Sequence, residues 1–170
     1  MRLILTILVV GVILRLLISW NDNFIFNMDN ARDMVDVREM VILQKPRLIG
    51  PTTAIEGLYT GPGWYYLLAI PFVISGGNPY ASIIMEIILW VIGGYFLMKL
   101  ASSWGKLPMV AAGIIWVASN FILLASQYAF NPNPVIFLTP FLIYLIKRYL
   151  EKEKLLVGFS MWFLVGIFFH

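Results

Sequence analysis

The chain has 170 residues, of which 61% are hydrophobic and 12% charged, and its mean hydropathy is +0.86. A soluble domain is about one-quarter charged, so this composition specifies an integral membrane protein. The net charge of +3 comes without a basic run interleaved with polar residues, which excludes a nucleic-acid surface. The absence of cysteine and the single histidine at position 170 exclude disulfides, thiolate chemistry and a multi-histidine metal site.

The first predicted element is an apolar run over residues 3–20 that ends on Trp20. It is longer than a signal-peptide core and lacks small cleavage-site residues, so it reads as a retained transmembrane helix with an interfacial tryptophan. A polar loop follows, residues 21–61, holding the acids Asp22, Asp29, Asp33, Asp36, Glu39 and Glu56 with the bases Arg32, Arg38, Lys45 and Arg47. From Asp29 to about Gln44 the pattern is helical. Met34, Val37 and Val41 form an apolar side widened by Ala31, Val35 and Ile42, and Asp29, Arg32, Asp33, Asp36 and Glu39 gather opposite. This predicts a helix on the membrane surface, capped near Asp29 and stopped at Lys45-Pro46, with its charges turned from lipid. The stretch from Arg47 to Gly63 is turn-rich.

Further apolar segments fall at 63–76, 80–98, 107–126, 134–146 and 155–169. A span needs about 20 residues. The first of these five is short and carries Pro71. If it crossed the membrane, every basic residue except Arg2 would lie outside, inverting the positive-inside rule. If it stays at the outer interface, then Arg2, Lys99, Lys106, Lys147, Arg148, Lys152 and Lys154 are all cytoplasmic. The expectation is an all-α, multi-pass protein of the cell membrane with five spans and a cytoplasmic N-terminus. Residues 3–20 are the first span, 21–79 an outer loop with amphipathic and interfacial helices, and 80–170 four further spans. The whole reads as a single transmembrane module. The apolar run that ends at His170 suggests the N-terminal fragment of a longer protein, inactive alone.

Asp29 and Asp33 stand at i, i+4, where like charges mildly repel. Arg32 is placed to meet Asp29 and Asp36. The structural reading is a capped, solvated helix with Asp29 near the helix dipole. The functional reading makes Asp29 a general base that takes the proton of an acceptor hydroxyl, because such a hydroxyl is a poor nucleophile until relieved of it. Arg32, Arg38, Lys45 and Arg47 are the cations available to a leaving phosphate, although headgroup contact also accounts for Lys45 and Arg47. An oxygen-only metal site built from Asp29, Asp33 or Asp36 is the weaker alternative. Arg15 and Glu86 fall inside spans, about 8–9 Å below the outer interface at 1.5 Å per residue. They are expected to pair with each other, or else to line a cavity. Trp64, Tyr65, Tyr66 and Trp104 read as interface anchors.

Four segments, in this order and topology, resemble the N-terminal part of membrane glycosyltransferases that use lipid-linked sugars. They are Asp29-Asn30-Ala31-Arg32-Asp33, Ile49-Gly50-Pro51-Thr52-Thr53, Gly61-Pro62-Gly63-Trp64-Tyr65-Tyr66-Leu67-Leu68 and Ser126-Gln127-Tyr128-Ala129-Phe130-Asn131-Pro132-Asn133. The resemblance is to the GT-C superfamily, near its family 39-like protein mannosyltransferase and aminoarabinose transferase branch. It implies transfer of a sugar from a polyprenyl-phosphate donor, Asp29 as catalytic base, and Arg32, Asp33, Lys45, Arg47 and Tyr65 as candidate substrate contacts. Many members carry a second acid where this chain has Asn30. The resemblance names neither the acceptor nor a metal cofactor. A transporter or a non-catalytic assembly subunit is the rival class, with Arg15 and Glu86 lining a path; no internal repeat of the kind transporters carry is visible.

The topology is testable by cysteine labelling, since no native cysteine interferes. A cysteine replacing Asn131 is expected to react with an impermeant reagent in intact cells, and one replacing Ser102 to stay protected. Reaction at 102 from outside would refute the five-span arrangement.

Overall fold

Helix α4, Tyr80–Ala101, is the element against which most others pack. The computed structural model describes residues 1–53, 55, 57–152 and 155–168, and among them helices account for nearly all regular structure, with no strands. In chain order the helices are α1 (Arg2–Ile18), α2 (Met28–Ile42), α3 (Gly63–Ser75), α4, α5 (Lys106–Ala118), α6 (Asn120–Ala125), α7 (Asn133–Lys152) and α8 (Leu155–Phe168). Together with the 3-10 turn that continues it, α4 makes the stretch Tyr80–Trp104, whose most apolar 18 residues have a mean hydropathy of 2.0. Among the described residues it is the one helix long and apolar enough to cross a membrane. Helices α3 and α5 are apolar but shorter.

Two apolar clusters meet on α4. One joins α1, α4, α5 and α7 through Leu8, Leu89, Trp90, Met98, Trp116 and Phe137. The other seats α2 and α3 on the first half of α4 through Val37, Trp64, Tyr65, Leu68, Ile83 and Ile87. Close approach in the first cluster depends on small residues. At Gly93 a Cβ would run into the Phe137 carbonyl, and at Gly11 it would strike the Trp90 ring. Trp90 Nε1 donates to the Trp116 carbonyl (3.4 Å), and Trp116 Nε1 donates to the Trp90 carbonyl (3.1 Å).

That exchange bears on a departure from expectation. The apolar run 107–126 is two helices, broken at Ser119, whose ψ of 119° is extended. In an unbroken helix the Trp116 carbonyl would accept from residue 120. Here the Trp90 indole occupies it.

Arg15 and Glu86 are fully buried, as a position inside the bundle requires, but they do not form the expected ion pair. The Arg15 guanidinium lies over the Trp90 ring, 3.7 Å from its centroid, and Nη1 donates to the Gly11 carbonyl (3.2 Å). Helical side chains lean toward the N-terminus of their own helix, and this lean carries Arg15 toward Trp90, one turn past Glu86 along α4. The Phe130 N–H faces the Glu86 carboxyl, yet among the described residues neither Glu86 oxygen meets a partner in hydrogen-bonding geometry.

Helix α2 is rotated relative to the sequence reading and begins earlier. Its buried face is Asn30, Asp33, Val37 and Met40, whereas Val35 and Ile42 are exposed. Two polar side chains can turn inward because both find partners there. The segment 63–76, expected at the interface, forms the short apolar helix α3. It buries Trp64, Tyr65, Leu68 and Pro71 and leaves Ile70, Val73 and Ile74 exposed. Trp64 and Tyr65 are therefore protein-packed and not lipid anchors; Tyr66 and Trp104 are the exposed aromatics of that set.

Gly93→Ala is expected to lower stability by about 1–3 kcal/mol through overpacking against α7. Gly166→Ala, where an added Cβ meets nothing within 4 Å, is expected to be neutral. Thermal unfolding of the two variants in detergent checks the contrast.

Candidate functional site

The site is assembled at the start of α2, and the local sequence explains why the helix begins there. Asn27 is the N-cap, its Oδ1 accepting from the backbone N–H groups of Asp29 (3.0 Å) and Asn30 (3.2 Å). Asn30 Oδ1 accepts in return from the Asn27 N–H (3.0 Å), which closes a capping box. The same two asparagines reach across to the segment between α6 and α7. Asn27 Nδ2 donates to the Tyr128 hydroxyl (2.8 Å), and Asn30 Nδ2 donates to the Ala129 carbonyl. A carboxylate at position 30 could cap the helix but could not donate to Ala129. The residue that departs from the pattern of the resembled family thus has a structural task that an acid cannot perform.

Asp29 keeps its carboxylate in solvent, with 46% of its side chain exposed, and meets Arg32 Nη1 at 3.2 Å. Arg32 distributes its donors: Nε and Nη2 bond Asp33 Oδ1 (3.0 and 2.9 Å), and Nη1 reaches Thr52 Oγ1 (3.3 Å). On one side of Arg32 a cleft of about 460 Å³ is lined by Asp29, Thr52, Thr53, Thr60, Phe130 and Asn131. On the other side a second cleft of about 410 Å³ includes Asp36, Arg47, Tyr59 and Tyr65. Arg32 and Thr52 belong to both.

Of the sequence-predicted residues, Asp29, Arg32, Arg47 and Tyr65 are brought to these clefts. Asp33 is not. Its side chain is buried, Oδ2 accepts from Trp64 Nε1 at 2.7 Å, and Oδ1 is held by Arg32. Burial pushes its carboxyl above the usual carboxylate range, while the bonds from Trp64 and Arg32 pull the other way. Asp33 therefore joins α2 to α3 and has no free oxygen to offer a substrate. Lys45 is exposed and lines neither cleft. Arg32 does not pair with Asp36, as the spacing had suggested. Instead Asp36 takes Arg47 Nη2 at 2.8 Å and the Tyr65 hydroxyl at 2.6 Å. Burial, and then the neighbouring Asp36, hold the Tyr65 phenol above the usual tyrosine range, so that Tyr65 serves as a donor.

Asp29, Asp33 and Asp36 thus face three different sets of partners. Among the described residues no group of three acids or histidines is gathered to hold a metal ion. Sequence reasoning overlooked Asn27 as the cap and the three threonines as cleft lining. The signal for the cap was present, since Asn27 and Asn30 stand three apart directly before the helical pattern. The threonines had no comparable signal, because they arrive through the fold-back of residues 50–60, where Gly50 N–H bonds the Thr60 carbonyl (3.0 Å) and Thr60 N–H the Pro51 carbonyl (2.9 Å). The site combines a solvated carboxylate with a guanidinium fixed beside it, a set able to receive a proton and to neutralise an anion. No protein-family model, curated protein or solved structure matches the chain.

Asn30→Asp is expected to cost about 1–3 kcal/mol, the penalty of setting an acceptor against the buried Ala129 carbonyl. Asp29→Asn breaks only a surface pair, worth about 0–1 kcal/mol, and should unfold nearly as the wild type. Comparing the two melting temperatures tests the hydrogen bond from Asn30 to Ala129.

Proposed function

We propose that the chain is the membrane module of a GT-C-type glycosyltransferase, moving a sugar from a polyprenyl-phosphate donor to an acceptor at the outer face of the cytoplasmic membrane. The supporting observation is the half-exposed Asp29 carboxylate lining a cleft beside Arg32, with Arg47 in the adjoining cleft. Asp29 takes the proton of an acceptor hydroxyl. The hydroxyl oxygen bonds to the anomeric carbon as the bond from that carbon to the phosphate oxygen breaks, and the electron pair leaves with the lipid phosphate. Arg32 and Arg47 stabilise the charge on that phosphate.

The multi-pass arrangement belongs to the same proposal. Helices α1, α4, α5 with α6, α7 and α8 form the five spans, and α2 and α3 lie at the outer surface. Exposed apolar side chains support it: Leu5, Val9, Ile13 and Leu17 line one face of α1, Ile114 and Ile115 lie on α5, and Phe159, Trp162 and Phe163 on α8. The rival class, a transporter or assembly subunit, draws support from the buried and incompletely bonded Arg15 and Glu86 beside a broken helix. It would make Arg15 and Glu86 the sensitive positions, with Asp29 dispensable.

With a polyprenyl-phosphate-linked sugar, Asp29→Asn is expected to reduce transfer in membranes by ~10²–10⁴-fold, the usual contribution of a general base. Val35→Ala, at an exposed position of the same helix outside both clefts, should leave transfer within a few-fold of the wild type. Near-normal turnover by the Asp29 variant would refute the proposal.

A further inference from the structure

At the end of α4 remote from Asp29, a recess of about 250 Å³ opens between α4, the following 3-10 turn and the last turns of α7. Its lining includes Lys99, Ser102, Tyr144, Lys147, Arg148 and Glu151, three cations against one acid. Lys99 is fixed there by two aromatic rings, its Nζ standing 4.9 Å from the Tyr144 centroid and 5.4 Å from that of Tyr95. A cation held over ring faces keeps its charge without an acid partner. Lys147 and Arg148 are only loosely engaged by Glu151, at 4.0 and 3.8 Å, and each keeps more than a third of its side chain exposed. Among the described residues the recess therefore gathers positive charge that Glu151 alone does not neutralise.

Its surroundings select among anions. Ile143, Ile146 and Leu150 share a face of α7 with Lys147 at helical spacing, and all three are exposed. Trp104 and Leu107, just past the end of α4, are exposed as well. A soluble phosphate would have no use for apolar surface beside its site. A molecule carrying both a phosphate and an acyl chain would cover both. We infer that this recess is a binding site for an anionic glycerophospholipid of the inner leaflet, its phosphate set among Lys99, Lys147 and Arg148 and one acyl chain along Ile143 and Ile146. The inference rests on the membrane reading of the bundle, though not on the sugar-transfer chemistry.

Native mass spectrometry of the chain in detergent, titrated with phosphatidylglycerol or phosphatidylcholine, measures the affinity for each lipid. Phosphatidylglycerol should be retained and phosphatidylcholine should bind at least tenfold more weakly. Lys147→Gln with Arg148→Gln removes two charges and should weaken phosphatidylglycerol binding by about thirtyfold. Lys106→Gln, at the same end but outside the recess, should change it little, and Glu151→Gln should tighten it. Replacing chloride by inorganic phosphate at constant ionic strength should leave the lipid bound. Equal retention of both lipids, an unaffected double variant, a loss of equal size in the Lys106 variant, or displacement by phosphate would each overturn the site. Carbonate extraction of vesicles separates this from failure of the membrane reading. A chain that resists extraction but shows no anionic preference lacks the site, whereas a chain that is extracted was never embedded and loses both.

Discussion

Beyond its apolar seat, the start of α2 is held by polar contacts to one connecting segment, residues 126–132, and the candidate site depends on that attachment. Asn133 donates to the carbonyls of Ala125 and Tyr128 from below. Asn30 donates to Ala129, and the Ile25 N–H bonds the Gln127 carbonyl at 2.9 Å. Carbonyls outside a helix must find donors, and here they come from Ile25 and Asn30 on one side and from Asn133 on the other. Satisfying the segment therefore also fixes the distance between α2 and the wall formed by Phe130 and Asn131.

Much of the helical layout was legible because hydropathy and charge are blunt signals that tertiary context seldom overturns. The apolar runs at 63–76, 80–98 and 134–146 each correspond to a helix, and Pro71 was accommodated within α3. What was not legible depends on partners distant in sequence. The break at Ser119 arises where the Trp90 indole engages a helix carbonyl. Arg15 found a ring where an ion pair with Glu86 had been expected, and nothing in the spacing of charges distinguishes the two outcomes.

The same limit explains the site. Periodicity assigned Asp33 to the charged face of α2, since it stands with Asp29 and Asp36. The structure turns it inward because Trp64, thirty-one residues later, offers an indole N–H at the right height. Asp29 was legible as a solvated acid at a helix start, and Arg32 as its neighbour at i+3. The separation of the polar loop into two clefts was not, because it requires the fold-back that brings Thr52 to Arg32.

Arg32 is a wall common to both clefts, and its contacts to Asp29, Asp33 and Thr52 compete for one planar group. A ligand that draws the guanidinium toward one cleft alters the other's shape and charge without touching it. Such coupling is reciprocal: whatever factor occupancy of the first cleft applies to affinity in the second, occupancy of the second applies to the first. Two molecules bound on either side of this side chain would not be independent guests, and order of arrival could change the path of their binding but not its total free energy.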